Sequence, residues 1–247
     1  MSITKYVPNA LTLLNLLSGL LALVSVFNGY FDHAFYFVCL GIFFDFWDGF
    51  AARKFNTSSA LGLQLDSLAD MVTSGVVPGL MVFKLFEYIQ MNDPKYMLTD
   101  ATYYMGFVPY LGFLITLASC YRLAKFNIDE RQTENFIGLP TPANALFVMS
   151  IPMIQYRDTY PMLTDLLYNP YVLLAITLLS AYLLNAEIKL FSLKMKEINW
   201  ANSKVQISFL IFSVLLLIVF GVLAIPMIIL SYILWSIFLN IAEKNNG

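Results

Sequence analysis

Charged side chains are scarce in this sequence. Only 12% of its 247 residues are Asp, Glu, Lys or Arg, whereas 59% are apolar, and the mean hydropathy is +0.71. An ordinary soluble domain carries about twice that share of charge. A chain with so few charged groups cannot cover its surface with polar side chains. This composition excludes an ordinary soluble globular fold and predicts an integral membrane protein.

Cysteine is also scarce, and the N-terminus lacks the features of a leader. The two cysteines, Cys39 and Cys120, both lie in apolar runs, which is typical of neither a disulfide framework nor a zinc site. The first residues do not form a basic region followed by a small-residue cleavage site, so we expect no removable signal peptide. The formal net charge of -2 indicates little, because the position of each charge matters more than their sum.

Long apolar runs are abundant, and about 20 such residues suffice for a helix to cross a bilayer. The runs favour helices over a barrel. We predict an all-α, polytopic membrane protein with one membrane-embedded domain over residues 1–247. The amphipathic, basic segment 187–204 is expected to lie at the membrane interface. About eight transmembrane helices are predicted, at residues 9–27, 34–52, 62–88, 103–124, 142–156, 170–186, 205–223 and 226–242.

Lysine and arginine are distributed unevenly between the two sides of these predicted spans. With eight spans, both termini lie on one side, which holds eleven of these residues against three on the other. Such a bias marks the cytoplasmic side. We therefore expect a protein of the cell (inner) membrane with both termini in the cytoplasm.

Carboxylates interrupt the apolar runs at one place. Asp45 and Asp48 are three residues apart, and Asp66 and Asp70 are four apart. Each pair therefore lies on one face of a helix. One Asp at the centre of a membrane helix costs about 2.5–3.5 kcal/mol, and four together repel one another unless cations neutralise them. Oxygen ligands favour Mg²⁺ or Mn²⁺ over zinc.

Two other interpretations of these aspartates are open. In the first, they cap helices and pair with Arg53 and Lys54. In the second, they belong to a cation or proton pathway in a transporter, which requires polar residues across the bilayer. The next acidic residue of the third span is Glu87, at its far end. The acids thus cluster at one edge, which disfavours transport.

The stretch 45–70 resembles the signature of the CDP-alcohol phosphatidyltransferase family, with the pattern Asp-x2-Asp-Gly-x2-Ala-Arg-x8-Gly-x3-Asp-x3-Asp. The resemblance implies a membrane transferase of phospholipid biosynthesis. Such an enzyme moves a phosphatidyl group from a CDP-linked lipid to an alcohol and releases CMP. It also implies a homodimer, two divalent cations (Mg²⁺ or Mn²⁺) and catalytic helices at about 34–88. No nucleic-acid partner is expected, since the aromatic residues are typical of an interfacial belt.

The same resemblance implies a role for each residue of the pattern. Asp45, Asp48 and Asp66 would bind one metal, and Asp45, Asp66 and Asp70 the second. Asp70 would also be the general base. The CDP-lipid, CDP-diacylglycerol, would contact Gly49, Arg53 and Ser59.

Further stretches, at 8–19, 65–79, 121–128 and 136–145, resemble the membrane-embedded branch of this family that uses L-serine and forms phosphatidylserine. Another alcohol, such as the one that gives phosphatidylglycerophosphate, is the alternative acceptor. A serine site needs a cation for the carboxylate, and Arg122 is the first candidate, with Lys125 second. Asn127 binds the carboxylate or caps a loop in this interpretation.

Polar residues in the first predicted span leave a further question open. Asn9, Thr12 and Asn15 must find partners inside the membrane. They either pack against the second span or contact the cytidine. The turn around Gly138 is expected to be structural.

Overall fold

A computed structural model describes residues 6–92, 106–129, 136–157, 160–191 and 203–246. Within these ranges, α-helices account for most of the chain, so the predicted all-α membrane architecture is confirmed. We number ten α-helices in the described residues. They are α1 (Val7–Phe27), α2 (Phe31–Lys54), α3 (Ala60–Asp70), α4 (Val77–Asn92), α5 (Phe113–Ile128), α6 (Thr141–Arg157), α7 (Pro161–Leu167), α8 (Pro170–Asn185), α9 (Lys204–Phe220) and α10 (Ala224–Asn246).

Irregular turns and one short strand pair connect these helices. A π-helical segment, Met71–Val76, joins α3 to α4, so that helix continues from Ala60 to Met91. A 3-10 helix, Val108–Gly112, leads into α5. Strand β1 (Phe136–Ile137) pairs antiparallel with β2 (Lys189–Leu190), which ties the entry of α6 to the segment after α8.

Helix α1 places its small and polar side chains inward and its large apolar ones outward. Residues of the inward face include Thr12, Asn15 and Gly19, whereas Leu17 and Leu20 are about half exposed, at 50% and 46%. This is the pattern of a membrane helix, because lipid accepts leucine while small residues allow neighbouring helices to approach closely.

The number of membrane spans stays a prediction. Four described stretches are long and apolar enough to cross a bilayer, and a bent pair, α7 with α8, makes a fifth candidate. Helices α5 and α6 have only 16 and 17 residues. The four stretches are Val7–Phe27, Phe31–Lys54, Ala60–Met91 and Lys204–Ala242.

The last of these stretches is a hairpin. At Gly221 the backbone has φ +57°, which ends α9. The ring of Phe209 then lies 5.6 Å from that of Tyr232 and 5.9 Å from that of Trp235. Residues that far apart in sequence meet only if α9 and α10 run antiparallel, as the two separate spans predicted here require.

Other boundaries differ from the predicted ones. Helix α7 was not predicted, and it meets α8 at 71°. Helix α5 continues to Ile128, four residues beyond the predicted end, because the polar side chains of Lys125 and Asn127 find partners there on Glu187 and Ser67. Of the predicted interfacial segment, Lys189–Leu190 is a strand, and residues 192–202 lie outside the described part of the chain.

Helix α5 runs antiparallel to the continuous helix formed by α3, the π segment and α4. Thr116 Oγ1 donates to the carbonyl of Gly75 at 3.0 Å. A Cβ at Gly112 would lie 2.8 Å from the backbone nitrogen of Phe83. Because neither backbone can move aside cheaply, this crossing fixes how far along its neighbour each residue of α5 lies.

Candidate active site

Three carboxylates meet where α2 and α3 come together. One oxygen from each of Asp45, Asp48 and Asp66 lies within 4.8 Å of the other two. Asp48 is buried, and Asp66 Oδ1 is a buried atom without a hydrogen-bond partner among the described residues. Such unpartnered anionic oxygens fit a hard divalent cation, which supplies the missing charge. Asp70 lies one helical turn beyond Asp66, outside this cluster.

Helix α1 supplies the polar partners of two aspartates. Thr12 Oγ1 lies 2.5 Å from Asp48 Oδ2, and Asn15 Nδ2 donates to Asp70 Oδ1 at 3.1 Å. The sequence left open whether these side chains pack or bind nucleotide; the structure brings them to the carboxylates. Their spacing of three residues, which puts both on one helical face, was the available signal, but it does not identify their partners.

Asp70 is buried and comes directly before the π segment. In that segment the hydroxyl of Thr73 donates to the carbonyl of Asn15 at 3.1 Å. A Cβ at Gly19 would collide with Thr73 Oγ1, and one at Gly41 would lie 2.9 Å from Asn15 Oδ1. These two glycines therefore allow α1, α2 and the π segment to approach closely enough to hold Asn15 against Asp70.

A cavity of about 190 Å³ opens beside the carboxylates. The residues expected to contact the CDP-lipid, Gly49, Arg53 and Ser59, all line it. Ser59 also caps α3, since its Oγ accepts from the backbone N–H of Gly62 at 3.0 Å. A Cβ at Gly49 would lie 3.4 Å from Arg53 Nη1, so the guanidinium lies over this glycine. The other lining residues are Pro8, Asn9, Thr12, Asp48, Ala52, Thr57, Ser58, Gly62, Leu63 and Asp66.

The three residues suggested for serine binding separate into two groups. Arg122 is buried and interacts electrostatically with Asp70. Asn127 Nδ2 donates to Ser67 Oγ at 2.8 Å, so it also faces α3. Lys125 instead forms an ion pair with Glu187, with Nζ 2.6 Å from Oε1. The structure thus brings Arg122 and Asn127 to the helix of Asp70 and directs Lys125 away from it.

Comparison with known proteins agrees with this arrangement. The model of the CDP-alcohol phosphatidyltransferase family matches residues 5–182. The chain belongs to this family. Members are membrane transferases, so the fold and the presence of an enzyme predicted from the sequence are confirmed. Helices α9 and α10 lie outside the matched residues.

Curated proteins from several species are similar to this chain. A CDP-diacylglycerol–serine O-phosphatidyltransferase of Bacillus subtilis (strain 168) is 32% identical over 189 residues, which cover 75% of this chain and 89% of the relative. One of the same name from Methanocaldococcus jannaschii is 32% identical over 58% of each chain. An archaetidylserine synthase of Methanothermobacter thermautotrophicus is 30% identical over 60% of this chain and 59% of the relative. The match therefore spans less than two thirds of the archaeal proteins.

Proposed function

We propose that this member of the CDP-alcohol phosphatidyltransferase family transfers the phosphatidyl group of CDP-diacylglycerol to the hydroxyl of L-serine, giving phosphatidylserine and CMP. The observation that carries the proposal is the meeting of three carboxylates beside a cavity lined by Gly49, Arg53 and Ser59. The relatives from Bacillus subtilis and Methanocaldococcus jannaschii are named as serine transferases, which supports serine as the alcohol.

Two divalent cations, Mg²⁺ or Mn²⁺, are proposed as cofactors. Asp45, Asp48 and Asp66 would hold one, since their oxygens are close enough to share an ion. Asp45, Asp66 and Asp70 would hold the other. When bound, such ions neutralise charge on a diphosphate and on the leaving phosphate. Without them, four carboxylates would repel one another and the diphosphate.

The cavity is proposed to bind the cytidine diphosphate end of the lipid. Arg53 would contact the diphosphate, because a guanidinium forms paired hydrogen bonds with phosphate oxygens. Gly49 has no side chain to block that approach. The hydroxyl of Ser59 and the first backbone N–H groups of α3 would also bind a phosphate that lies at the N-terminus of this helix.

Asp70 is the proposed general base. As the serine oxygen attacks the phosphorus of the phosphatidyl group, Asp70 takes the hydroxyl proton. The bond from that phosphorus to the CMP oxygen then breaks, and CMP leaves with the electron pair. Asn15 donates to Asp70 Oδ1, which fixes the carboxylate and leaves Oδ2 for the proton. A carboxylate can act this way if it lies within hydrogen-bond reach of the hydroxyl.

Arg122 would bind the serine carboxylate, with Asn127 beside it, whereas Lys125, the second candidate, is held away from the site by Glu187. Arg122 is a buried cation next to Asp70, and its Nε and Nη2 have no hydrogen-bond partner in the described residues. An acceptor that carries its own phosphate, such as glycerol 3-phosphate, would need more positive charge here. Lys125 is already paired with Glu187, which favours serine.

The protein is proposed to lie in the cell (inner) membrane as a homodimer, with the active site and both termini in the cytoplasm. This orientation rests on the excess of lysine and arginine on one side of the predicted spans. It would let CDP-diacylglycerol reach the carboxylates from the lipid and serine reach them from the cytosol.

An acceptor assay tests the proposal. Purified protein in detergent or vesicles would receive CDP-diacylglycerol and Mn²⁺ or Mg²⁺, with labelled serine in one reaction and labelled glycerol 3-phosphate in another. We expect label in lipid, and equimolar CMP, only with serine. Label entering lipid from glycerol 3-phosphate alone would reject serine as the alcohol. A reaction with chelator in place of the cations should release no CMP.

A further inference from the structure

The orientation of the Asn127 side-chain amide is fixed by a chain of hydrogen bonds. Ser67 Oγ donates its only proton to the carbonyl of Leu63 at 3.2 Å. With its proton directed at Leu63, Ser67 Oγ accepts from Asn127 Nδ2 at 2.8 Å. The other end of the amide, Oδ1, is buried and has no hydrogen-bond partner within the described chain.

Asn127 does not serve as a helix cap. It lies within α5, and the residue at the C-cap is Asp129, whose backbone N–H bonds to the carbonyl of Lys125. A buried amide oxygen without a partner is unfavourable unless something donates to it. The unpaired atom is an acceptor, so the group that completes it must be a donor.

The buried guanidinium of Arg122 lacks a hydrogen-bond acceptor, whereas Asn127 Oδ1 lacks a donor. Only 6% of this residue is exposed, and its unpartnered atoms, Nε and Nη2, are donors. Among the described residues, no carboxylate lies within ion-pair distance of Arg122. An anionic acceptor would therefore complete Arg122, just as a donor would complete Asn127.

Because α5 runs antiparallel to α3, Arg122 and Asn127 both lie beside α3. Asn127 donates to Ser67 of α3, and Arg122 interacts electrostatically with Asp70, three residues further along the same helix. The ammonium and the carboxylate of an α-amino acid are attached to one carbon atom. An acceptor of this kind that lies between the two side chains could therefore pair with both, with its hydroxyl toward Asp70.

Resting on the serine acceptor proposed above, we propose that Asn127 Oδ1 binds the α-ammonium group of the acceptor while Arg122 binds its carboxylate. The site would thus recognise both charges of an amino-acid zwitterion. Alcohols that lack either charge would leave one of the two buried groups unpaired, which is how a polar site rejects an incomplete ligand.

Two serine analogues separate these contacts. Ethanolamine keeps the ammonium and the hydroxyl, whereas 3-hydroxypropionate keeps the carboxylate and the hydroxyl. In Asn127→Leu we expect the KM for serine and the inhibition constant of ethanolamine to rise about 10- to 100-fold, the loss of one charge-assisted hydrogen bond. The inhibition constant of 3-hydroxypropionate should stay within about twofold of that of the wild type. In Arg122→Gln the inhibition constant of 3-hydroxypropionate should rise by a similar factor, whereas that of ethanolamine should stay close to the wild-type value.

Control variants distinguish recognition from folding. Asn240→Leu removes an amide that likewise donates to the protein, at the carbonyl of Lys189, but on α10; its KM for serine should not change. Asn127→Asp keeps an acceptor oxygen and should bind serine within a few-fold of wild type. Thermal unfolding in the presence of CDP-diacylglycerol checks that each variant is folded.

Several outcomes would overturn the inference. Asn127→Leu with an unchanged KM for serine, in an enzyme that does use serine, rejects the role of Asn127 and leaves the proposed function standing. Equal weakening of both analogues means that Asn127 does not distinguish the ammonium. A wild-type enzyme that does not use serine fails the proposed function itself. If both Asn127 variants unfold, a wild-type structure with serine decides, since its nitrogen should lie about 3 Å from Asn127 Oδ1.

Discussion

The helix that carries Asp66 and Asp70 differs from the C-terminal hairpin in hydropathy and in how much of it other helices cover. Over its most apolar window, Ala60–Met91 has a mean hydropathy of 1.4 and is 56% buried within the protein, whereas Lys204–Ala242 has a mean hydropathy of 3.0 and is 11% buried. The first is surrounded by other helices and can therefore carry charge. The second is exposed on the outside of the described structure over most of its surface, where lipid would cover it.

The hydrogen bonds of the two regions differ as well, although Tyr232 and Asn240 of the hairpin do reach the carbonyls of Phe191 and Lys189. In the first region, Asn15 and Thr73 bond between helices. In the hairpin, the hydroxyls of Ser213 and Ser231 bond to carbonyls one turn back in their own helices. A hydroxyl that faces lipid has no other partner within reach. Polar groups that bond across helices are thus the ones that can position a reacting group.

The largest effect is expected at the carboxylate proposed as the base. Asp70→Asn keeps the size of the side chain but cannot accept the acceptor's proton, so CMP release should fall about 10²- to 10⁴-fold. Binding of CDP-diacylglycerol, measured by ligand-dependent thermal stabilisation, should change little by comparison. Undiminished turnover would remove Asp70 from the mechanism.

A smaller effect is expected at Asn15, which contacts the proposed base rather than the substrate. Asn15→Leu removes the hydrogen bond to Asp70 Oδ1, so kcat should fall about 10- to 100-fold, the range for a hydrogen bond to a charged group. Ser25→Ala is the matched control on the same helix, because the Ser25 hydroxyl donates to the carbonyl of Leu21 in its own helix. Equal losses in both variants would mean that α1 acts through packing alone.

A third change tests the crossing of α4 and α5. In Gly112→Ala the added Cβ would lie 2.8 Å from Phe83 N and 2.9 Å from Gly79 O. The free energy of unfolding should decrease by about 1–3 kcal/mol, measured by denaturant titration in detergent. Because α5 carries Arg122, the KM for serine should rise as well. A variant as stable as the wild type would show that the helices can separate without penalty.

The smallest effect is expected in the hairpin. Leu215 is 56% exposed, so Leu215→Ala removes contacts with lipid rather than with protein. The free energy of unfolding should stay within about 0.5 kcal/mol of the wild-type value. The turnover of serine should not change. A large loss of stability would indicate that this face of α9 is covered by another protein surface.

Short spacings explain what the sequence could predict. The carboxylate pairs and the turn at Gly138 depend on residues a few positions apart. At Gly138 the backbone has φ +77°, a conformation that favours glycine. These features follow from helical geometry and turn chemistry alone.

Partners distant in the chain could not be predicted. The sequence shows that Asn15 is polar and inside a span, but its contact with Asp70 depends on how α1 crosses α3. Likewise, Lys125 and Glu187 are 62 residues apart, and the residues around each do not indicate the pairing. Helix α7 was missed because its apolar stretch is too short to distinguish from a loop between spans.

The wide turn at Met71–Val76 has a consequence for how this chain can change. A π turn is equivalent to one residue inserted into an α-helix, so it rotates everything after it by about 100° relative to everything before it. Deleting a single residue there would restore a regular helix but turn Asp66 and Asp70 away from α2, or turn α4 away from its neighbours. Chain length at this point is therefore as constrained as the identity of the aspartates.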